Sequence, residues 1–482
     1  MALICNKRKR KTERGEIIMD MADLKKIWLK KYAIVPEQLQ KIKEINSAVT
    51  AFNANIDAVI KITPEFLQTL IKKLNLTLAE LENIKQTKIY TPQDVVKGIF
   101  KCFKNGIAEE WITEEKAVYD WLNENIGYDR LQIGGQGGIV ANALANIGIK
   151  KVVAHANSLP KLQAEQFAKK DNLLSFDENA NLMPAYKINR SNDTALIHWI
   201  IEFNRGDILE IEGQNFKCPK SNRFIATYDP LNLKLVIDKP FMDYVQKNET
   251  EYVILSGFHA LTSNNNGVAL IEQIVPQIRQ WKEHNLNGIF HLEIASTQDI
   301  EVRKAIVCKI APLMDSIGIN EREAIDVLEA IGETDLAKRC SEKTTAENLF
   351  AGIVKIKERL DIKRVQLHMF GLYVTLQDTG FKITPEQNLK GMMTAATVAA
   401  AKAGTGTIEN LLFAHGNTVS DVGLIEADRL ATSIGQCDLD INGISRYRNW
   451  DLIVVPTILI EKPITLVGMG DTISSVSLVA AR

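Results

Sequence analysis

The sequence predicts an α/β fold built on a mainly parallel sheet. Three observations carry that prediction. Amphipathic helical stretches occur at 36–45, 93–104 and 265–284. Short apolar runs bounded by Gly, Asn or Pro occur at 48–53, 151–156, 252–256, 288–294, 313–319, 364–376, 452–455 and 464–468. The two kinds alternate along the chain, as strands and crossover helices do in a parallel sheet. The length of 482 residues suits two to four domains or one large domain with insertions. A hydrophobic content of 46% and a charged content of 24% allow an ordinary core, and exclude a collagen-like, coiled-coil or wholly disordered chain.

The elements follow in order. Residues 1–20 read as a flexible leader. Its KRKRKTER run at 7–14 has the alternative reading of a nuclear or nucleic-acid tag. The core spans 21–482. In the helix over 93–104, Val95, Val96, Ile99, Phe100 and Phe103 recur at helical spacing. The stretch 180–240 breaks the rhythm. Its run Trp199–Phe203, its turn Asn204–Asp207 and its run 233–237 read as a β-rich insertion. The prediction is one α/β core with a smaller lid assembled from insertions near 55–64, 127–137 and 180–237. In such sheets ligands sit at the carboxyl ends of the strands.

Several function classes are excluded. The 58 basic and 59 acidic residues give a net charge of -1, which argues against nucleic-acid binding through a generally basic surface. Six cysteines at 5, 102, 218, 308, 340 and 437 show no CxxC spacing, so no zinc ribbon or thioredoxin-like site is visible. Sparse cysteines fit a reducing cytoplasm. No stretch reaches the roughly 18 apolar residues of a membrane span, and the N-terminus lacks a signal-peptide core. No protein partner is evident.

Five stretches carry chemistry. Asn55 and Asp57 follow a strand, where an amide and a carboxylate can hold ligand hydroxyls; the alternative is a turn with Asx hydrogen bonds. Gly134-Gly-Gln136-Gly-Gly138 opens a helix, so the backbone can approach a ligand closely. No GK[ST] follows, which excludes a P-loop. The next strand ends in His155-Ala156-Asn157 without the carboxylate a dinucleotide site needs. His291 and Glu293 share one face of a strand by period-2 alternation, and Glu293 can bind Mg²⁺ directly or through water. Asn320 and Glu323 have the spacing of a capping box, with a metal–phosphate role for Glu323 as the other reading. The fifth stretch is Leu466-Val467-Gly468-Met469-Gly470-Asp471. Its glycines open a helix whose free N–H groups can stabilise a transferring phosphoryl group. Asp471 there is either a catalytic base or merely an N-cap.

Together these motifs resemble the ADP-dependent sugar kinases of the ribokinase-like superfamily, which include archaeal glucokinases, phosphofructokinases and bifunctional forms. GGQGG with Asn142 and GMGD at 468–471 resemble ribokinase-like signatures. HLE at 291–293 and NERE at 320–323 resemble the HxE and NxxE motifs of the ADP-dependent branch. The resemblance implies a ribokinase-like Rossmann-type sandwich whose β-rich lid closes over the sugar and excludes water. It implies Asp471 as base, with Gly468 and Gly470 in the anion hole. Asn55, Asp57, Gly135 and Gln136 would hold sugar hydroxyls, with His198 and Arg205 approaching from the lid. Glu293 and Glu323 would organise Mg²⁺, and Asn320, His368 and Val467 would contact the nucleotide.

The implied reaction moves the β-phosphoryl of MgADP to fructose 6-phosphate, giving fructose 1,6-bisphosphate and AMP, with glucose as a second acceptor. The alternatives are a glucokinase as main activity and an ATP-dependent kinase of the same fold. Glucose-preferring members carry a glutamate to the sugar. It is expected near Ile89–Asp94, where Asp94 and the more distant Glu82 are poor matches. Arg205, helped by Lys187 or Arg190, is the expected ligand of a sugar 6-phosphate.

Overall fold

A computed structural model describes residues 8–12, 15–84 and 87–482. Its main body is an eleven-stranded sheet. Seven central strands run parallel in the order Arg364–Met369, Ser316–Ile319, Ile289–Glu293, Tyr252–Leu255, Ala48–Ala51, Val152–Ala154 and Leu173–Phe176. Antiparallel strands flank both edges: Leu372–Asp378, Trp450–Pro456 and Ile444–Tyr447 on one side, Leu182–Pro184 on the other. A ribokinase-like α/β sandwich is the fold.

Period-2 alternation divides this sheet between two cores. Val49, Ala51, Val253, Leu255, Phe290 and Leu292 face one, with Trp281 and Leu328 from the helices Gly267–His284 and Glu321–Ala330. Ala48, Tyr252, Ile254 and Ile289 face the other, with Leu144, Met392 and Val476 from the helices Gln136–Ile147, Pro385–Thr405 and Met469–Val479. Strands buried on both faces read as near-continuous apolar runs, which is why they were legible.

A second, five-stranded sheet has the order Glu109–Thr113, Asn222–Tyr228, Ile197–Phe203, Asn55–Lys61 and Arg130–Gly134. The helices Pro64–Lys73, Pro92–Asn105 and Lys116–Asn125 supply its core on one face only, around Trp111, Trp199 and Phe224. This sheet draws on all three predicted insertions. It also draws on Glu109–Thr113, which the sequence reading had left out.

Several runs turn out differently. Residues 364–376 are two antiparallel strands joined at Phe370-Gly371, not one run. Residues 464–468 form no strand: they pair with no strand of either sheet, and Ile464 is 64% and Leu466 67% exposed. Within 233–237 the chain makes a short 3₁₀ turn at Asn232–Lys234 instead of a strand. Of the expected leader, 1–7 lie outside the described residues, while Arg8–Thr12 and Gly15–Met19 pair as an antiparallel ribbon.

Candidate active site

The bare face of the small sheet forms one wall of the site. Ile197, Trp199, Ile201 and Phe203 point into the helix-covered core, so His198 points the other way. His198 pairs in register with Asp57 on the neighbouring parallel strand, which puts both on the bare face. Asn55 Nδ2 donates to Asp57 Oδ1 at 3.2 Å. Burial pushes the Asp57 carboxyl up to about 6, against the pull of His198 and of hydrogen bonds from Gln132 and Asn55. Burial also opposes charge on His198. Even so, the hydrogen bond and charge of Asp229, with Glu110 and Asp57, lift it to about 9. His198 Nε2 lies 3.2 Å from Asp229 Oδ2, and Nδ1 lies 4.0 Å from Glu110 Oε1. Thr227 Oγ1 donates to Glu110 Oε1 at 2.6 Å.

His198, Glu110, Asp229 and Thr227 line a cavity of about 600 Å³ with Asn53 and His259, which stand at the carboxyl ends of large-sheet strands. The chain leaves the large sheet at Ala51 and enters the small one at Asn55. The glycine motif sits at this crossing. Gly135 has φ +72°, and a Cβ there would lie 2.7 Å from Asn55 Oδ1. Next to it, Gln136 ties the glycine motif, which follows the small-sheet strand Arg130–Gly134, to the large-sheet body. Its Nε2 donates to Asp471 Oδ1 at 2.9 Å, while its Oε1 accepts from Gly257 N at 3.0 Å.

Asp471 lies in the first turn of the helix Met469–Val479, whose N-cap is Gly468 at φ +60°. The first N–H groups of a helix have no carbonyl partner within it, so they are available to an anion. Burial raises the Asp471 carboxyl above its ordinary value, opposed by Gln136, Lys402 and His259. Two more carboxyls face it. Glu293 is pushed well up by burial and then by the charges of Asp471 and Glu323. Glu323 is pushed up to about 8 by burial, opposed by the Asn320 N–H, with Asp471, Asp326 and Glu321 adding to the rise.

Neighbours hold both glutamates. His291 and Glu293 share the face that receives Ser474, and His291 Nε2 lies 2.9 Å from Ser474 Oγ and 3.4 Å from Glu293 Oε2. Asn320 and Glu323 do form a capping box: Asn320 N donates to Glu323 Oε2 at 2.7 Å, and Glu323 N to Asn320 Oδ1 at 3.0 Å. His368 is buried, with neither ring nitrogen hydrogen-bonded; burial lowers it to about 4, so it is neutral. Its Nε2 lies 2.9 Å from the point where a Cβ on Gly470 would stand.

An oxygen-rich, charge-repelling centre thus faces a wall of paired hydrogen-bonding groups across the cleft. Residues 46–480 match the model of the ADP-specific phosphofructokinase/glucokinase conserved region. The chain belongs to that family. An ADP-specific phosphofructokinase of Pyrococcus abyssi is 30% identical over 448 residues, covering 89% of this chain and 96% of the relative. An ADP-dependent glucose/glucosamine kinase of the same organism is 30% identical over 453 residues, covering 92% and 96%. A solved ADP-dependent kinase in complex with fructose 6-phosphate and ADPβS superposes with a TM-score of 0.77 at 28% identity, covering 96% of this chain and 98% of that one.

Within this family site the structure brings together Asn55, Asp57, Gly135, Gln136, His198, Glu293, Asn320, Glu323, His368, Gly468, Gly470 and Asp471. It does not bring Arg205 there. His198 sits at the start of the strand Ile197–Phe203, and Arg205 lies exposed beyond its far end. From His198 to the strand's end at Phe203 the extended chain alone covers roughly 17 Å, and Arg205 lies in the turn beyond. Arg190 is spent on Phe176 O, Ala156 O and Asp238, and Lys187 on Asp171. Val467 lines a different cavity from the cleft, of about 440 Å³ beside Lys402; His368 is not among its walls. Asp94 caps its own helix by accepting from Thr91 N and Oγ1, and Glu82 pairs with Lys104.

Sequence reading missed Glu110, Asp229 and His259. The alternation in Glu110-Trp111-Ile112 was a signal for the first, because a buried Trp on one face sends its neighbours to the other.

Proposed function

We propose that the protein transfers the β-phosphoryl group of ADP to a hydroxyl of fructose 6-phosphate, forming fructose 1,6-bisphosphate and AMP. The observation that carries this reading is the hydrogen bond from Gln136 to Asp471, which ties the base of the phosphoryl centre to the glycine motif that follows the small-sheet strand Arg130–Gly134. The acceptor oxygen attacks the β-phosphorus, and the bond from that phosphorus to the oxygen bridging it to AMP breaks. The hydroxyl proton passes to Asp471, whose raised affinity makes it a stronger base than a free carboxylate. The first amides of the helix Met469–Val479 offset the charge gathering on the transferred group. The small sheet acts as the lid that keeps water from competing as acceptor.

Mg²⁺ fits the donor set. Asp471 raises the proton affinity of both Glu293 and Glu323, and Glu323 that of Glu293, a repulsion that a hard cation with oxygen ligands relieves. Among the described residues no group of three such side chains converges closely enough to hold a metal directly. Glu293 and Glu323 therefore suit an ion held through water and by phosphate oxygens, where it would neutralise the phosphates. We place the reaction in the cytoplasm, on the free thiols of Cys102, Cys218, Cys308 and Cys340. Among the described residues no helix is long and apolar enough to cross a membrane.

One observation favours a second acceptor, an unphosphorylated hexose such as glucose. The described residues lining the 600 Å³ cleft include Glu110 and Asp229 but no lysine or arginine. Such a wall suits hydroxyls better than a dianion. The test is AMP formation from MgADP by purified protein with fructose 6-phosphate, glucose or no sugar, and ATP in parallel. Sugar-dependent AMP supports the reading, and the faster sugar identifies the acceptor. Turnover with ATP alone would replace the donor, and no sugar-dependent AMP would end the proposal.

A further inference from the structure

One lysine reaches the phosphoryl centre from behind. Lys402, on the helix Pro385–Thr405, donates from Nζ to Gly468 O at 3.0 Å and to Thr472 Oγ1 at 2.9 Å. The same carbonyl accepts from Thr472 N at 3.2 Å and from Thr472 Oγ1 at 2.7 Å. Gly468 O is therefore a hub that ties the turn before the helix to the helix's own first turn. The turn is shaped to receive the lysine. At Gly468 φ is +60°, and a Cβ there would lie 2.6 Å from Ile139 Cδ1 and 3.2 Å from Lys402 Nζ. The lysine's own backbone is fixed too. Gly391 on the same helix packs so closely on Ser477 O and Ala481 N that a Cβ would collide with them.

We propose that Lys402 is the positioning residue of the anion hole. Its ammonium group fixes the Gly468 carbonyl and the Thr472 hydroxyl, and so aims the first amides of the helix Met469–Val479 at the transferring phosphoryl group. A carbonyl oxygen turned toward that group would repel it. The lysine holds this carbonyl on the opposite side, where a fixed positive charge also adds to the helix N-terminus. The charges facing Lys402 are Asp471 and Asp57, and burial against them draws its ammonium down to about 8. Its remaining side borders the 440 Å³ cavity lined by Asn142, Thr465 and Val467, so shortening the side chain leaves room for a small amine.

This inference rests on the phosphoryl-transfer reading, and its test separates the two. Full-length Lys402→Met, Lys402→Arg and Lys402→Ala are compared with wild type. In Lys402→Met, kcat should fall roughly 10²-fold, the cost of removing one oxyanion donor, with KM for ADP and sugar nearly unchanged. Lys402→Arg should recover part of the loss, and ethylammonium should restore turnover to Lys402→Ala. Hydrogen–deuterium exchange of the 467–472 peptide in the ligand-free enzyme should quicken in Lys402→Met, while the 289–293 peptide stays as in wild type. Wild-type kcat in Lys402→Met overturns the proposal. So does a loss that raises both KM values and is recovered by neither arginine nor amine, because that is a packing defect. Wild type making no AMP with any sugar would sink the functional reading instead. The exchange comparison would then decide the lysine's role alone, unchanged exchange at 467–472 refuting it.

Discussion

The two walls of the cleft treat their charged groups in opposite ways. On the small sheet the charged groups are paired or bonded: His198 with Asp229, Asp57 with Asn55 Nδ2, Glu110 with Thr227, while the buried Asn55 Oδ1 makes no hydrogen bond. The imidazole is raised to about 9 while Asp57 reaches only about 6, so opposite charges persist side by side. Across the cleft Asp471, Glu293 and Glu323 are all driven upward, and Lys402 and His259 oppose only the Asp471 shift. The first wall is balanced in charge and suited to neutral hydroxyls, one of which can donate to Asn55 Oδ1. The second is electrostatically incomplete until a cation arrives. Recognition can thus be preorganised at rest, while the reactive centre assembles only with the charged nucleotide.

The largest effect expected from breaking this contrast is at Asp471. Asp471→Asn keeps the shape and the bond network but removes the base, and kcat should fall by about 10²–10⁴-fold while ADP binding persists. AMP production and calorimetric ADP titration measure the two; near-normal turnover would refute the role. Next comes Glu293→Gln, which should raise the Mg²⁺ concentration for half-maximal rate roughly 10–100-fold. A Mg²⁺ titration of initial rate checks it, and an unmoved midpoint would detach Glu293 from the cation.

The large-sheet wall was readable and the small-sheet wall was only half readable, for physical reasons. His291 and Glu293 lie on a strand buried on both faces, so two polar residues at period 2 stood out against apolar neighbours. Asp471 followed glycines that open a helix, a local signal. Glu110 depends instead on sheet order. Its strand carries Glu109 and Glu110 in succession, and only the packing of Trp111 decides which faces the cleft. Glu109 is held by Lys101 and the Trp111 indole, while Glu110 is not. The expectation for Arg205 rests on the resemblance of the segment 196–206 to the family's lid segment, and the structure places it beyond the far end of the strand whose start carries His198. The run 464–468 failed as a strand because apolar residues beside a Lys-Pro turn met no partner strand.

A smaller effect concerns pH. Glu323 has a folded value of about 8, well above the roughly 4.3 of an unfolded glutamate. A raised carboxyl contributes stability fully below the unfolded value and loses it as pH rises through the folded one. His198, lifted to about 9, contributes in the same direction, fully below about 6.5 and lost through about 9. The share of the metal-free protein's thermal stability carried by these two groups should therefore fall between about pH 4.5 and pH 9. Mg²⁺ with ADP should raise the melting temperature more near pH 8 than near pH 5, because only ionised glutamates attract the ion. Equal shifts at both pH values would mean that the carboxyls are not what the cation relieves.

The smallest effect is a null result with a sharp meaning. If acceptor recognition belongs to the bare face of the small sheet, a residue beyond the far end of its strands should not contribute. Arg205 is exposed in the turn after Phe203, where its N–H donates to Ser221 Oγ. Replacement of an exposed side chain away from special features changes stability by about 0.5 kcal/mol or less. Arg205→Ala should leave KM for fructose 6-phosphate and for glucose within about twofold of wild type, since a full phosphate contact is a charged bond worth about 1.5–3 kcal/mol and its loss would cost at least tenfold. His198→Ala in the same assay should raise KM for the accepted sugar, because it removes the imidazole that Asp229 and Glu110 hold over Asp57. Should Arg205→Ala instead weaken only the phosphorylated sugar, the strand tip must fold over the cleft during turnover. The acceptor wall would then be as incomplete at rest as the phosphoryl centre.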